Sequence, residues 1–454
     1  MRIAVQGCCH GELDAIYEEI ARQDEQDGKK TELLIICGDF EAIRNRGDLE
    51  AMAVPDKYKH MQTFWKYYCG ERVAPVLTIF IGGNHEASNY LWELYHGGWA
   101  APNIFYLGHA GCVRVNGLRI AGASGIFKGY NFRTGHHEHP PYDSNTMRSC
   151  YHIREFNTRR LSLLSSPEIF LSHDWPQGIE QYGDVDRLLR KKPFWKEEVR
   201  NGTLGSPPLT SLLHTLTPGY WFAAHMHAAF RATVHHGPAP TPAPEELKNP
   251  DEITIDDDEF DDPAPAPEPT AAPAPTSSSE AAASAPAPAH PETRFLALDK
   301  CLPKRKFLEI LDISAPEESI PDQQPSFTFD AEWLAITRAF APYFSTAKHQ
   351  RAFPLEAPIR EVIAREMEWV KTNLGTATSA EPSTQLDSTA SSSNSPEYVK
   401  LKPISSILQF AVTAPVHVPG EEKGPKPPQP GLFPNPQTRA FCAMLQIQDR
   451  INPS

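Results

Sequence analysis

The chain has 454 residues, a formal charge of -14 and eight cysteines with no CxxC pair. Between Pro238 and Glu292, thirteen acidic residues against one lysine account for -12 of that charge, so the acidity is local and excludes no anionic substrate elsewhere. No apolar run approaches the ~20 residues needed to cross a bilayer. A chain that opens directly on Arg2-Ile3-Ala4-Val5 predicts free thiols in a reducing intracellular compartment rather than a disulfide scaffold.

The elements follow in order. Leu13, Ile16, Tyr17 and Ile20 share one helical face, and Leu33 to Cys37 reads as a buried strand. Tyr58 to Cys69 predicts an aromatic-rich helix, and Val76 to Ile81 a second buried strand. Val113-Arg114-Val115 and Leu118-Arg119-Ile120, joined by Asn116-Gly117, predict a hairpin with a favoured two-residue turn. Glu168–Leu171 and Tyr220–Ala223 are further strand candidates. Strands mixed with helices over residues 1–237 imply an α/β domain of sheet layers covered by helices.

Residues 238–292 collapse to Pro, Ala, Ser and acid. So little apolar surface cannot offset the entropy of ordering, which predicts a disordered linker; an acidic docking tail has the same composition. Order resumes over 293–454, a smaller C-terminal accessory module. Strands are expected at Arg294–Leu298 and Phe307–Leu311, and helices at Ala331–Phe340 and Ile359–Lys371. A Ser/Thr-rich break near 375–396 precedes a last ordered piece, Gln437–Ile447. Lys304-Arg305-Lys306 is either a fragment of a nuclear address or a solvated strand end.

Five strand ends carry donor side chains: Gly7-Cys8-Cys9-His10-Gly11, Gly38-Asp39-Phe40, Gly83-Asn84-His85-Glu86, Ser172-His173-Asp174 and Ala224-His225-Met226-His227. Cys8/His10 and His225/His227 stand at i and i+2, which in extended backbone projects each pair to one face. Asp39 offers two oxygens and can bridge two cations, and Asn84 adds a neutral oxygen. Together they form a mixed N, O and S donor set for two divalent metals. Cys9 points away from Cys8 and is expected in the core. One HxH or one GD is weak; five such turns, each ending an apolar run, are hard to explain by chance.

The pattern resembles the calcineurin-like metallophosphoesterases, whose fold is a β-sandwich flanked by helices. The chain departs twice, with Cys8 where an Asp is usual and Ala224 where a Gly is usual. The cysteine narrows the likeness to the RNA lariat debranching family, together with Ala53-Val54-Pro55-Asp56-Lys57-Tyr58-Lys59-His60-Met61, Gly82-Gly83-Asn84-His85-Glu86-Ala87-Ser88-Asn89 and Leu171-Ser172-His173-Asp174-Trp175-Pro176. The similarity resumes more weakly at Phe295–Pro303 and Asn435–Thr438. The resemblance implies that Cys8, His10, Asp39 and His227 hold one metal and Asp39, Asn84, His173 and His225 the other. His85 would stand beside them without ligating. The thiolate favours Fe2+ or Zn2+, with Mn2+ also admitted, over Mg2+.

The implied reaction is hydrolysis of the 2′-5′ phosphodiester at the branch of excised intron lariat RNA, linearising it for turnover. Metal-activated hydroxide attacks phosphorus, and His85 protonates the departing ribose oxygen. Residues 126–154 match the family's lariat recognition loop, with Lys128, Tyr130, Arg133, Tyr142, Arg148, His152 and Arg154 as substrate contacts that stack on bases or hold phosphates. Trp175 either lines the site or belongs to the core. The likeness also implies splicing-related protein partners and a nuclear location, with shuttling to the cytoplasm permitted. A protein phosphatase or DNA nuclease on the same fold is disfavoured by Cys8 and the 126–154 loop. A scaffold without chemistry is disfavoured by the complete ligand set.

Overall fold

The computed structural model describes residues 1–237, 288–318, 320, 323–376 and 399–452. The expected linker over 238–292 and the break near 375–396 therefore lie almost wholly outside the described residues. In chain order the strands are β1 (Arg2–Gln6), β2 (Leu33–Ile36), β3 (Leu77–Phe80), β4 (Gly98–Ala101), β5 (Ile104–Tyr106), β6 (Ala110–Val115) and β7 (Leu118–Ala123). They continue with β8 (Ile169–Ser172), β9 (Tyr220–Ala223), β10 (Phe230–His235), β11 (Glu292–Ala297), β12 (Leu308–Asp312) and β13 (Phe327–Phe329). One sheet runs β12-β1-β2-β3-β5-β4, the other β10-β11-β9-β8-β7-β6-β13.

Strand alternation builds the layers. Ile3, Val5, Leu33, Ile35, Leu77 and Ile79 face the second sheet's Ile120, Ile169, Leu171, Phe222 and Leu296 in one core between the sheets. The intervening Ala4, Leu34, Ile36 and Phe80 face outward, where Leu13, Ile16, Tyr17 and Ile20 of the helix Leu13–Asp27 cover them. On the far side of the second sheet, Phe170, Trp221 and Phe295 pack under helices, including Pro207–Leu216 and Ala331–Phe340. The molecule is thus an α/β sandwich with helices on both outer faces.

The expected hairpin forms β6 and β7, and Asn116 (φ 45) and Gly117 (φ 79) both take the left-handed backbone that a tight hairpin turn needs. The helix expected over Tyr58–Cys69 is shorter. Only Phe64–Tyr68 is α-helical, after a 3-10 turn at Asp56–Tyr58. Between them Gln62 (φ 47) turns back to pack on Gly11, so contact with the first loop overrides the local helical pattern.

The C-terminal region is woven into both sheets. β11 inserts between β10 and β9, β12 pairs antiparallel with β1, and β13 with β6. The segment after residue 408 then runs back over the first sheet. There Thr413 and Ala414 donate backbone N–H groups to Tyr68 Oη at 2.7 and 2.9 Å, and His417 N to Arg44 O at 2.9 Å.

Asp330 ties the two regions together. It caps the helix Ala331–Phe340 through Trp333 N and receives Arg119 Nε, Arg119 Nη2 and Arg114 Nε, each at 2.9 Å. Burial alone would raise its carboxyl, yet Arg119 and Arg114 outweigh it and hold it below the ordinary range. A depressed native pKa contributes stability above the unfolded pKa that is lost as pH falls through the native one. Asp330→Ala is expected to cost about 3–5 kcal/mol by denaturant melting at neutral pH, because it removes the buried carboxylate that Arg114 and Arg119 share, leaving Arg119 with Glu332 and the Ser165 carbonyl. The difference from wild type should shrink as the pH is taken down through the carboxylate range.

Candidate metal centre

All five donor turns lie at carboxyl ends of strands: β1, β2 and β3 from one sheet, β8 and β9 from the other. In open α/β sheets this is the edge where ligands bind. The ligand atoms of Cys8, His10, Asp39 and His227 fall within 4.8 Å of one another. His10 Nε2 stands 3.4 Å from His227 Nε2 and 3.7 Å from Asp39 Oδ2. On the other side His173 Nε2 lies 3.2 Å from both Asp39 Oδ1 and Asn84 Oδ1, and the rings of His173 and His225 are 4.9 Å apart. The His85 ring meets that of His10 edge to face at 5.5 Å. All seven expected ligands and His85 are brought together.

The expected reason for that convergence needs correcting. His10 (φ 47), Asp39 (φ 45), His225 (φ 57) and His227 (φ 45) are left-handed, so the i, i+2 pairs are not extended. Each pair sits on a tight turn past its strand, a conformation that costs about 1–3 kcal/mol per residue and persists only where surroundings enforce it.

The enforcement is visible. Asp39 Oδ1 accepts the backbone N–H groups of Asn84 and His85 at 3.0 and 2.9 Å. Behind it, the buried Glu86 accepts Phe40 N and Gly83 N on one oxygen, both at 2.8 Å, and Glu41 N on the other at 2.9 Å. Glu86 belongs to the Gly-Asn-His-Glu run, but its bracing role has no sequence signal. Glycine is required beside it, because a Cβ at Gly83 would collide with Asp39 and the His173 ring.

The electrostatics suit a cation. Burial pushes the Cys8 thiol well up, and Asp39 adds to this. Burial would also raise Asp39, but His173 and His85 reverse that and hold it well below the usual range. Burial takes His225 down to about 3 and His227 down to about 2, assisted by His173 and His10 respectively, so both are neutral donors at pH 7. A buried carboxylate, a buried thiol and neutral imidazoles converging within bonding reach fit divalent metal well. His173 Nδ1 meets Cys37 O at 2.8 Å, which leaves Nε2 for the centre.

Two further carboxylates stand at the site. Glu41, unremarked in the sequence, places Oε1 3.1 Å from His10 Nδ1. Asp174 accepts Phe127 N at 3.2 Å and so ties the start of the 126–154 segment to the His173 turn. Cys9 lies in the core with Leu13 and Tyr17, as expected. Trp175 is fully buried, and its indole N–H donates to Ala224 O at 2.8 Å, which makes it core.

The 126–154 segment divides. Tyr130 is 67 % exposed, Arg133 and Arg148 are exposed, and Lys128 is half-buried. Tyr142, His152 and Arg154 are buried, which corrects the expectation that they contact substrate. Arg154 donates to Asn131 O and Thr134 Oγ1 at 2.7 Å, to Ser149 O at 3.0 Å, and pairs with Glu138. His152 Nδ1 bonds Asn131 Oδ1 at 2.8 Å. Tyr142 packs on Ala51 and Cys150, and its backbone exchanges two hydrogen bonds with the Gln429 side chain at 2.7 and 2.9 Å. These three shape the loop from inside. Composition could not separate them from the outward residues.

The strand-end donors on a helix-flanked sandwich define a metal-dependent phosphoesterase, and residues 1–229 match the calcineurin-like phosphoesterase family. Residues 290–450 match the lariat debranching enzyme C-terminal domain. The lariat debranching enzyme of Drosophila pseudoobscura pseudoobscura is 45 % identical over 99 % of this chain and 77 % of its own. That of Arabidopsis thaliana is 39 % identical over 98 % and 86 %, and that of Homo sapiens 48 % identical over 75 % and 54 %. The chain belongs to the lariat debranching enzyme family.

Gly83→Ala is expected to leave a folded chain by circular dichroism whose metal content, measured by elemental analysis after reconstitution, falls below half that of wild type. Glu86→Gln should lose metal to a smaller degree, since its amide nitrogen would face the Glu41 N–H while its oxygen still serves Phe40 and Gly83.

Proposed function

We propose that the chain hydrolyses the 2′-5′ phosphodiester at the branch of lariat RNA, leaving a 2′-OH on the branch nucleotide and a 5′-phosphate on the released end. Five strand-end turns converging on Asp39, with His85 beside them and the 126–154 loop anchored at Asp174, carry the proposal. Cys8, His10, Asp39 and His227 would hold one divalent cation, and Asp39, Asn84, His173 and His225 a second. Fe2+ or Zn2+ suits the thiolate best, and Mn2+ is admitted. Bound cations would offset the negative charge of the phosphodiester and make a water acidic enough to supply the nucleophile at neutral pH.

The chain's own residues do the rest. His85 is not needed as a ligand and stands beside the centre, where an imidazole can pass a proton to the departing ribose oxygen. Tyr130 offers an exposed ring for an unstacked base at the branch, and Lys128, Arg133 and Arg148 offer charge for flanking phosphates. Arg154, His152 and Glu138 stiffen the loop that carries them. A protein acting on such a substrate would work in the nucleus with splicing-related partners, with shuttling to the cytoplasm permitted.

The deciding experiment sets a branched RNA beside a linear 3′-5′ RNA of equal length with metal-loaded protein. Selective cleavage at the branch with a 5′-phosphate product is expected. Equal cleavage of both would make the chain a general nuclease, and cleavage of neither would refute the proposal. His85→Ala should bind metal and RNA normally and cleave about 10²–10⁴-fold more slowly. Tyr130→Ala should weaken branched-RNA binding by about 1–3 kcal/mol with little change in kcat, the loss expected for one stacked base.

A further inference from the structure

Among the acidic side chains at the centre, Glu41 belongs to neither ligand group, yet its placement is closely constrained. The side chain is only 10 % exposed. Its φ of 61 is a left-handed conformation that a glutamate rarely adopts, and Glu86 fixes its backbone N–H at 2.9 Å. The turn thereby delivers Oε1 to 3.1 Å from His10 Nδ1. Its ligand oxygen, His10 and His85 also fall within 4.8 Å of one another.

A neutral histidine that binds metal through Nε2 carries its proton on Nδ1, and that proton needs an acceptor. For His173 the Cys37 carbonyl serves. For His10 the only acceptor recorded at Nδ1 among the described residues is Glu41. With Nδ1–H held there, Nε2 faces Asp39 Oδ2 and His227 Nε2, at 3.7 and 3.4 Å. We propose that Glu41 is a positioning residue for the metal centre: it fixes the tautomer and ring orientation of His10 without itself ligating. The inference rests on the metal-centre half of the proposed function and is independent of the RNA substrate.

The strained backbone supplies an unusual test. Glycine is the residue that a φ of 61 favours, so Glu41→Gly removes the carboxylate while relieving the turn. Glu41→Gln keeps an acceptor oxygen and the turn but not the charge. Zn2+ affinity is read by competition with a chromophoric chelator, alongside thermal melting of the metal-free proteins. Metal-free Glu41→Gly should melt at or above wild type yet bind Zn2+ about 10–100-fold more weakly, while Glu41→Gln stays within a few-fold of wild type. Wild-type affinity in Glu41→Gly would overturn the assignment. So would equal loss in both variants, which would mark Glu41 as a direct ligand or a purely electrostatic one. A lower melting temperature for metal-free Glu41→Gly would show that the side chain braces the fold instead. None of these readouts uses RNA, so failure of the debranching assay would leave the result standing.

Discussion

Everything at the centre is arranged around one buried carboxylate, Asp39. Its Oδ1 accepts two consecutive backbone N–H groups from the β3 turn and faces His173 from the second sheet, while Oδ2 faces His10 from β1. Three strand ends from two sheets are therefore organised on one side chain. A buried carboxylate is costly without compensation, and here the surrounding histidines, His173 and His85 foremost, outweigh burial and keep it ionised. A divalent cation held at this carboxylate would couple the fold's stability to metal binding.

That coupling explains the backbone. Left-handed φ at His10, Asp39, Glu41, His225 and His227 gathers conformational strain on the donor turns. The sheets absorb the cost: the strands that end in these turns, β1, β2, β3, β8 and β9, are buried on both faces, and Glu86 clamps two of the turns from behind. Rigid strands with strained ends pre-set donor positions, which is what a centre acting on a highly charged phosphodiester requires.

How much of this the sequence discloses depends on the range of the interaction. Local signals were legible: the apolar face of Leu13–Ile20, the Asn116-Gly117 turn and the helix Ala331–Phe340 all appear where periodicity and turn chemistry put them. The convergence of the expected ligand residues was legible because five donor turns, each ending an apolar run, are hard to explain by chance. Their geometry was not, since an i, i+2 spacing cannot tell an extended pair from a left-handed turn. Nor could the sequence show that β11 slips between β10 and β9, because that parallel pairing joins residues more than seventy positions apart. Arg154 and His152 were misread for a related reason. Whether a basic side chain serves the solvent or its own loop depends on acceptors such as Glu138 and Asn131, which the fold supplies.

Charge poses the last question, since an acidic chain acts on a polyanion. Most of the net charge sits in one segment, and basic side chains stand close to the centre itself. Lys128 acts on His225 from the side of the 126–154 loop, and Lys300 on His10 and His227 from the turn between β11 and β12. That second turn is stitched to the first donor loop, with Cys301 N donating to Cys8 O at 3.1 Å and Gly7 N to Phe307 O at 3.0 Å. The C-terminal region thus does more than complete two sheets: it sets a cation beside the ligands. Lys128 and Lys300 therefore offer positive charge beside the centre to an approaching phosphate, and local charge of this kind rather than net charge bears on its approach.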